Sequence, residues 1–304
     1  MNYTNKSILH SGPLGNPSPL TPGEKAHIVE EKKKMKEGSA MALEIPPIGL
    51  GVYKAGDAVY RAVRYALEIG YRHVDCAKIY GNEALVGQAV RDSGIPREEI
   101  YVTTKLWPKD YPNAKGDAQD RLRCLGLEYV DAMLLHWPGV DAALRYRAYE
   151  ALLQMQQQGQ ARQVGVSNFL IDQLEDLAAQ GLPKPVCNQL EAHPWYPQRE
   201  VRAYCHRQGI QVVCWAPLFR GAWKEAPVLA QIAQAHGKTP AQAVLRWHVQ
   251  NGDCPIPKSV TPSRIAENLD IFDFALAPEE MAAIDALEDG RHISHDPHTY
   301  DGAR

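Results

Sequence analysis

The sequence predicts an α/β fold, a single (β/α)8 barrel with two extra helices and an N-terminal extension. From Ile45 onward, short apolar runs alternate with longer amphipathic stretches eight times. The runs, AMLL and VVCW among them, lack polar alternation, as expected of parallel strands covered on both faces. No G-x-G-x-x-G turn follows the first run, because Lys54 stands where the third glycine belongs after Gly49 and Gly51. An open dinucleotide-binding sheet would carry that turn.

The units follow in order. Strand 48–51 precedes a helix over 57–70, and strand 72–75 a helix over 82–94. Strand 100–105 precedes helix 113–125, and strand 130–136 precedes helix 144–158. Strand 161–168 precedes helix 171–181, and strand 185–191 precedes helix 198–209. Strand 210–217 precedes two helical stretches, 226–236 and 240–250. Strand 254–259 precedes helix 262–272. The 304-residue length suits such a barrel, which takes roughly 250 residues as one domain.

Residues 1–40 read as a separate, partly irregular extension, and residues 41–304 as the barrel. Four prolines and three glycines fall within 11–23. Thr21-Pro22-Gly23-Glu24 then has the form of a helix start, leading into a polar helix that ends near Gly38. The barrel-bottom hairpin that commonly precedes the first strand looks truncated around 41–47.

Composition narrows the function classes. Hydrophobic residues make up 45% and charged residues 23%, with a net charge of −3 from 33 basic and 36 acidic side chains. That balance gives no electrostatic reason to expect nucleic acid or an anionic membrane as partner. No apolar run is long enough to span a bilayer, and the N-terminus lacks an apolar signal core. None of the six cysteines pairs at C-x-x-C spacing, so reduced thiols and a cytoplasmic location are expected.

Barrel enzymes carry their chemistry at the C-terminal ends of strands. Here those ends bear Asp75 with Tyr80 just beyond, Lys105 and His136. Singly, each has a structural reading: helix cap, packing aromatic, solvated lysine, hydrogen-bonded histidine. Their convergence on one rim favours chemistry. A phenol has a reference pKa of about 10 and is a poor acid at neutral pH. A nearby cation lowers that value by about 1–3 units. Lys105 is the expected cation, Asp75 its counter-ion, and His136 the group that orients a substrate oxygen. Tyr80 would then protonate a carbonyl oxygen as a nicotinamide cofactor supplies hydride, which no side chain can.

The motifs GYRHVDCAKIYGNE (70–83), TTKLW (103–107), LLHWP (134–138), VGVSNF (164–169), NQLEAHPWYPQ (188–198) and IPKSVTPSRIAEN (256–268) span the whole barrel. In order and spacing, the chain from Ile45 resembles the aldo-keto reductase family, in particular its short-loop bacterial members. The resemblance implies NADPH-dependent reduction of small aldehydes, ketones or dicarbonyls, with Asp75, Tyr80, Lys105 and His136 as catalytic set. It implies that Ser167, Asn168 and Gln189 bind the nicotinamide amide and that Trp215 stacks on the ring. Ala216, Pro217, Leu218 and Arg220 would follow the pyrophosphate, and Gly51, Val52, Tyr53 and Asp75 would flank the cofactor. Lys258, Ser259, Val260, Thr261, Arg264, Glu267 and Asn268 would hold the adenosine 2′-phosphate and adenine. The basic pair favours NADPH over NADH, since a 2′-phosphate suits Lys and Arg.

Tyr53, Tyr80, Trp107, His136 and Trp137 are expected around the substrate, with Trp223 as a further wall. The short WPGVDAA connection after His136 matches small substrates. Cys76 and Val52 depart from the residues the family commonly has there, and the N-terminal extension has no family counterpart. His292, His295 and His298, spaced by three, suggest a loop over the cofactor or substrate in preference to a metal site. The family is often monomeric, with a dimer as the alternative. Two other readings compete: a non-catalytic nicotinamide-binding sensor on the same fold, and an unrelated phosphate-binding barrel. The second would carry a Gly-rich loop where this chain has KSVTPSR.

Overall fold

A computed structural model describes residues 44–303, apart from the side chain of Glu225. The expected N-terminal extension and its polar helix lie outside the described residues.

Eight parallel strands form one sheet in chain order. They are β1 (Leu50–Gly51), β2 (His73–Asp75), β3 (Tyr101–Leu106), β4 (Val130–Leu135), β5 (Ala161–Ser167), β6 (Cys187–Glu191), β7 (Gln211–Trp215) and β8 (Cys254–Pro255). The sheet closes on itself. Gly49 N–H donates to Pro255 O at 3.0 Å, Gly51 N–H donates to Pro257 O at 3.2 Å, and Gly51 bridges Lys258. The closure needs glycine at position 51, because a Cβ there would lie 2.7 Å from the Ile256 carbonyl oxygen. The strand expected over 254–259 is only two residues long. Pro255 and Pro257 have no N–H for the ladder and serve β1 through their carbonyls instead.

Helices cover the outside: α1 (Val59–Glu68), α2 (Glu83–Arg91), α3 (Ala114–Leu125), α4 (Ala142–Gln157), α5 (Ile171–Ala179), α6 (Arg199–Gln208), α7 (Pro227–Ala235), α8 (Pro240–Gln250) and α9 (Pro262–Leu269). In α1 the buried residues are Val59, Ala62, Val63, Ala66 and Leu67, the spacing of one helix face. Asp141 caps α4 by accepting Leu144 N–H at 3.0 Å. Thr239 and Gln242 form a reciprocal capping box at the start of α8. Left-handed Gly126 ends α3. The two extra helices are α7, paired with α8 after β7, and α10 (Pro278–Asp285). The sequence pattern predicts no helix at 278–285. Residues 44–49 contain no strand; the rest of the 41–47 stretch, where a truncated hairpin was expected, lies outside the described residues.

The two-residue period of the strands sorts the core into two. Val74, Val102, Met133, Leu135 and Val166 face outward and pack beneath the helices in the large core. Tyr101, Ala132, Leu134, Cys187, Val213, Cys254 and Ile256 face inward and plug the barrel. One step further along the same inward rows come Lys105, His136, Gln189 and Trp215. The apolar plug is therefore the floor of a polar layer at the C-terminal mouth. No helix of the described residues is long and apolar enough to cross a membrane.

Helix α2 lies hard against the end of α3. A Cβ on Gly87 would fall 1.7 Å from the Leu125 carbonyl oxygen and 2.8 Å from its Cα. Gly87→Ala therefore forces the two helices apart and should destabilise the fold by roughly 1–3 kcal/mol, the usual cost of overpacking. Urea unfolding checks this; an unchanged midpoint would mean that the two helices separate freely.

Candidate active site

Asp75, Lys105 and His136 occupy the mouth because each continues an inward row. Lys105 is the last residue but one of β3, two residues after Thr103, and its side chain is fully buried. A buried ammonium is tolerated only when paired and hydrogen-bonded. Its Nζ donates to Asp75 Oδ1 at 2.6 Å and to the Cys76 carbonyl at 2.8 Å. Asp75 is itself buried, and its second oxygen accepts Gln189 Nε2 at 2.7 Å. Burial pushes the Lys105 pKa down, but Asp75 outweighs it and the net direction is up. The ammonium stays charged.

Tyr80 comes from the short helical turn 78–80 beyond β2, which left-handed Gly81 closes. Lys105 Nζ lies 5.2 Å from its ring centroid. Tyr53 stands 5.0 Å away on one side, and His136 5.9 Å away, edge-on. The expected acidification of Tyr80 is reversed. Burial raises its pKa more than Lys105 lowers it, and the net result is a phenol pushed up to about 12. Desolvation of the phenolate is the dominant effect, so the group keeps its proton at neutral pH.

His136 is buried, and its Nδ1 has no hydrogen-bond partner among the described residues. Burial, with Lys105 adding to it, holds its pKa well below 6.5. The imidazole is neutral. Trp107 packs edge-on against it at 4.9 Å.

The nicotinamide-site candidates converge on the same layer. Ser167 Oγ donates to Gln189 O at 2.8 Å, and Asn168 Nδ2 donates to His136 O at 3.0 Å. Trp215 Nε1 donates to Asn168 Oδ1 at 2.9 Å. Asn168 is left-handed at φ 62°, which turns its amide back over the mouth. Beyond Trp215 the chain carries Ala216, Phe219 and Arg220 at φ 51°, 40° and 52°. Non-glycine residues in that region cost about 1–3 kcal/mol each and concentrate at functional loops. Pro217 is buried, Leu218 is partly buried, and Arg220 is exposed.

Across the closure, Gly51 lies between Asp75 in β2 and Lys258, by register and by bridge. Lys258, Thr261 and Arg264 are exposed around the start of α9, Ser259 Oγ accepts Thr261 N–H at 3.1 Å, and Val260 is partly buried. Three candidates sit differently from the rest. Val52 turns its side chain into the outer core and offers its carbonyl to Asn82. Glu267 accepts the Thr239 hydroxyl at 2.6 Å, and Asn268 is buried beside the core.

Of the substrate wall, Tyr53 is 47% exposed and free to meet a ligand, whereas Trp137 is buried. Trp223 packs on the outer core. The wall has components that the motifs did not name. The C-terminal tail crosses the mouth, where Tyr300 lies 4.8 Å from Trp137 and 6.0 Å from Trp107. Trp107 Nε1 donates to Gly302 O at 2.9 Å, and His295 stacks on Tyr300 at 4.2 Å. The three spaced histidines part company: His292 stacks on Tyr196, His295 on Tyr300, and His298 faces Asp172. The tail acts as a loop over the mouth, as its irregular sequence suggests.

A sequence profile of the Aldo/keto reductase family matches residues 47–289. The chain is 42% identical over 260 residues to a glyoxal reductase of Bacillus subtilis, covering 84% of this chain and 93% of that one. It is 40% identical over 273 residues to the methylglyoxal reductase DkgA of Escherichia coli, covering 88% and 98%. The crystal structure of MGS-M4, an aldo-keto reductase enzyme from a Medee basin deep-sea metagenome library, superposes with a TM-score of 0.82 at 39% identity, covering 85% of this chain and 97% of that one. With a buried Lys–Asp pair at the mouth of a closed eight-stranded barrel and these relatives along nearly its whole described length, the chain belongs to the aldo/keto reductase family, nicotinamide-dependent oxidoreductases that act on carbonyl groups.

Proposed function

We propose that this protein reduces small aldehydes, ketones or dicarbonyls to alcohols with NADPH, with Tyr80 as the proton donor. The observation that carries the reading is the Gln189–Asp75–Lys105 chain, fully buried and set directly beside Tyr80 and His136.

The residues present fit a dinucleotide. Ser167, Asn168 and Gln189 offer amide and hydroxyl groups around a nicotinamide amide, and Trp215 offers an aromatic face. The left-handed backbone from Ala216 to Arg220 suits a pyrophosphate. Lys258 and Arg264, beside the free N–H groups of the first turn of α9, suit a 2′-phosphate. When bound, the reduced nicotinamide supplies the hydride.

The side chains then do the following. Neutral His136 orients the carbonyl oxygen. Tyr80 donates its proton to that oxygen as charge builds there, and Lys105 stabilises the phenolate left behind. Asp75 keeps Lys105 charged and fixed in place. A phenol with a pKa near 12 is a reluctant acid but is always loaded with its proton, and the developing alkoxide is more basic still. The aromatic wall of Tyr53, Trp107 and Trp137 suits small, largely apolar substrates. One chain supplies the whole set, which supports a monomer; five of the six thiols are free and buried, which supports a cytoplasmic setting.

Tyr80→Phe should lower kcat by roughly 10²–10⁴-fold while leaving NADPH binding intact, read by tryptophan fluorescence and by loss of NADPH absorbance with methylglyoxal. Wild-type protein that binds NADPH and turns over no carbonyl would point to the sensor reading instead. Lys258→Ala and Arg264→Ala should each weaken NADPH binding by about tenfold and hardly change NADH binding, since each removes one charge-assisted contact to the phosphate. Equal losses with both cofactors would move the 2′-phosphate elsewhere. Because Tyr80 stays protonated and His136 neutral, kcat should be flat between about pH 6 and 8. An inflection near 6.5 that disappears in His136→Gln would show a solvated, titrating imidazole.

A further inference from the structure

Glu191 closes β6 two residues beyond Gln189, so both side chains belong to the inward row. Its side chain is fully buried. The reaction proposed above has no use for this carboxylate, because Asp75 already serves Lys105. All its partners lie elsewhere. Oε2 accepts Ser294 N–H at 2.6 Å and Ile293 N–H at 3.1 Å. Oε1 accepts the same Ile293 N–H at 2.9 Å and lies 3.0 Å from His193 Nε2. Burial alone would raise the carboxyl pKa, yet these donors bring it below the usual value.

A buried charge held by backbone donors fixes whatever carries those donors. Here they belong to the C-terminal tail. From that anchor the tail passes Gln173, whose Nε2 donates to Pro297 O at 3.2 Å, and then reaches the aromatic wall with Tyr300 and Gly302. His193, on the other side of the carboxylate, stacks at 4.1 Å on Phe219 of the strained loop after β7. The same carboxylate therefore holds the tail directly and reaches the loop after β7 through His193.

We propose that Glu191 is a positioning residue whose carboxylate clamps the tail at Ile293 and Ser294, seating Tyr300 and Gly302 against Trp107 and Trp137 as the outer wall of the carbonyl pocket. The clamp follows from the hydrogen bonds themselves; only the identity of the pocket rests on the function proposed above.

The test uses the full-length chain. Glu191→Gln is isosteric but turns an N–H₂ toward backbone donors. Amide exchange across 291–303 should speed up about tenfold, the effect of losing one charge-assisted hydrogen bond. With methylglyoxal, KM should rise severalfold while kcat stays within about twofold, because the chemical groups are untouched. Ser294→Pro, which deletes a donor from the tail and leaves the barrel unchanged, should give the same pattern. If the effect passes through the wall, Glu191→Gln combined with Tyr300→Ala should have the KM of Tyr300→Ala alone. Unchanged exchange, a loss confined to kcat, or full additivity with Tyr300→Ala would overturn the clamp. Exchange reports on it with or without turnover, so the inactive Tyr80→Phe protein can still show it.

Discussion

The active-site mouth depends on one ion pair. Lys105 has no exposure to solvent, so its ammonium survives because Asp75 and the Cys76 carbonyl accept its hydrogen bonds. Removing either charge from such a pair typically costs about 3–5 kcal/mol, because the other is left buried and unpaired. The pair thus constrains its surroundings. It fixes the register of β2 against β3, in which Asp75 lies opposite Thr103. It also recruits Gln189 from the far side of the barrel, and with it the end of β6. A polar layer held this way resists rearrangement, since each member is already a partner of the next.

The apolar plug below and the tail above complete that environment. Together they exclude water, and exclusion of water decides the proton states. A cation beside a phenol lowers its pKa in water, but here the withdrawal of solvent from the phenolate is the larger effect. The same withdrawal keeps His136 neutral. The resulting pair, a protonated phenol and an uncharged imidazole, suits the proposed reaction, in which the carbonyl carbon takes hydride and its oxygen takes the phenol's proton. In the proposed reaction the lysine would act less by acidifying the phenol than by standing ready for the charge that appears there.

Buried carboxylates perform two distinct tasks in this barrel. Asp75 faces a side-chain cation, the Lys105 ammonium. Glu191, two residues beyond Gln189 in the same inward row, faces backbone N–H groups and holds the tail. A carboxylate that gathers amides holds chain in place, whereas one that gathers an ammonium holds charge in place. This division explains how a tail with no regular secondary structure can lie in a defined position across an active site.

The strand ends were legible in the sequence because short apolar runs alternate with amphipathic stretches. From those ends the mouth residues Asp75, Tyr80, Lys105, His136, Gln189 and Trp215 could be named in advance. Helix starts were mostly legible where Pro, Thr or Asp marked them; the 278–285 helix was not, although Pro278 opens it, because its eight residues bury little more than Glu280 and Ile284. The direction of the Tyr80 shift was illegible, since it depends on how much solvent the whole assembly removes. So was the clamp, whose carboxylate and amides stand 102 and 103 residues apart. Local periodicity and residue chemistry determined which groups could face the barrel mouth. Only tertiary closure decided how dry that mouth is and which distant backbone lies over it, because burial is a property of every neighbour at once.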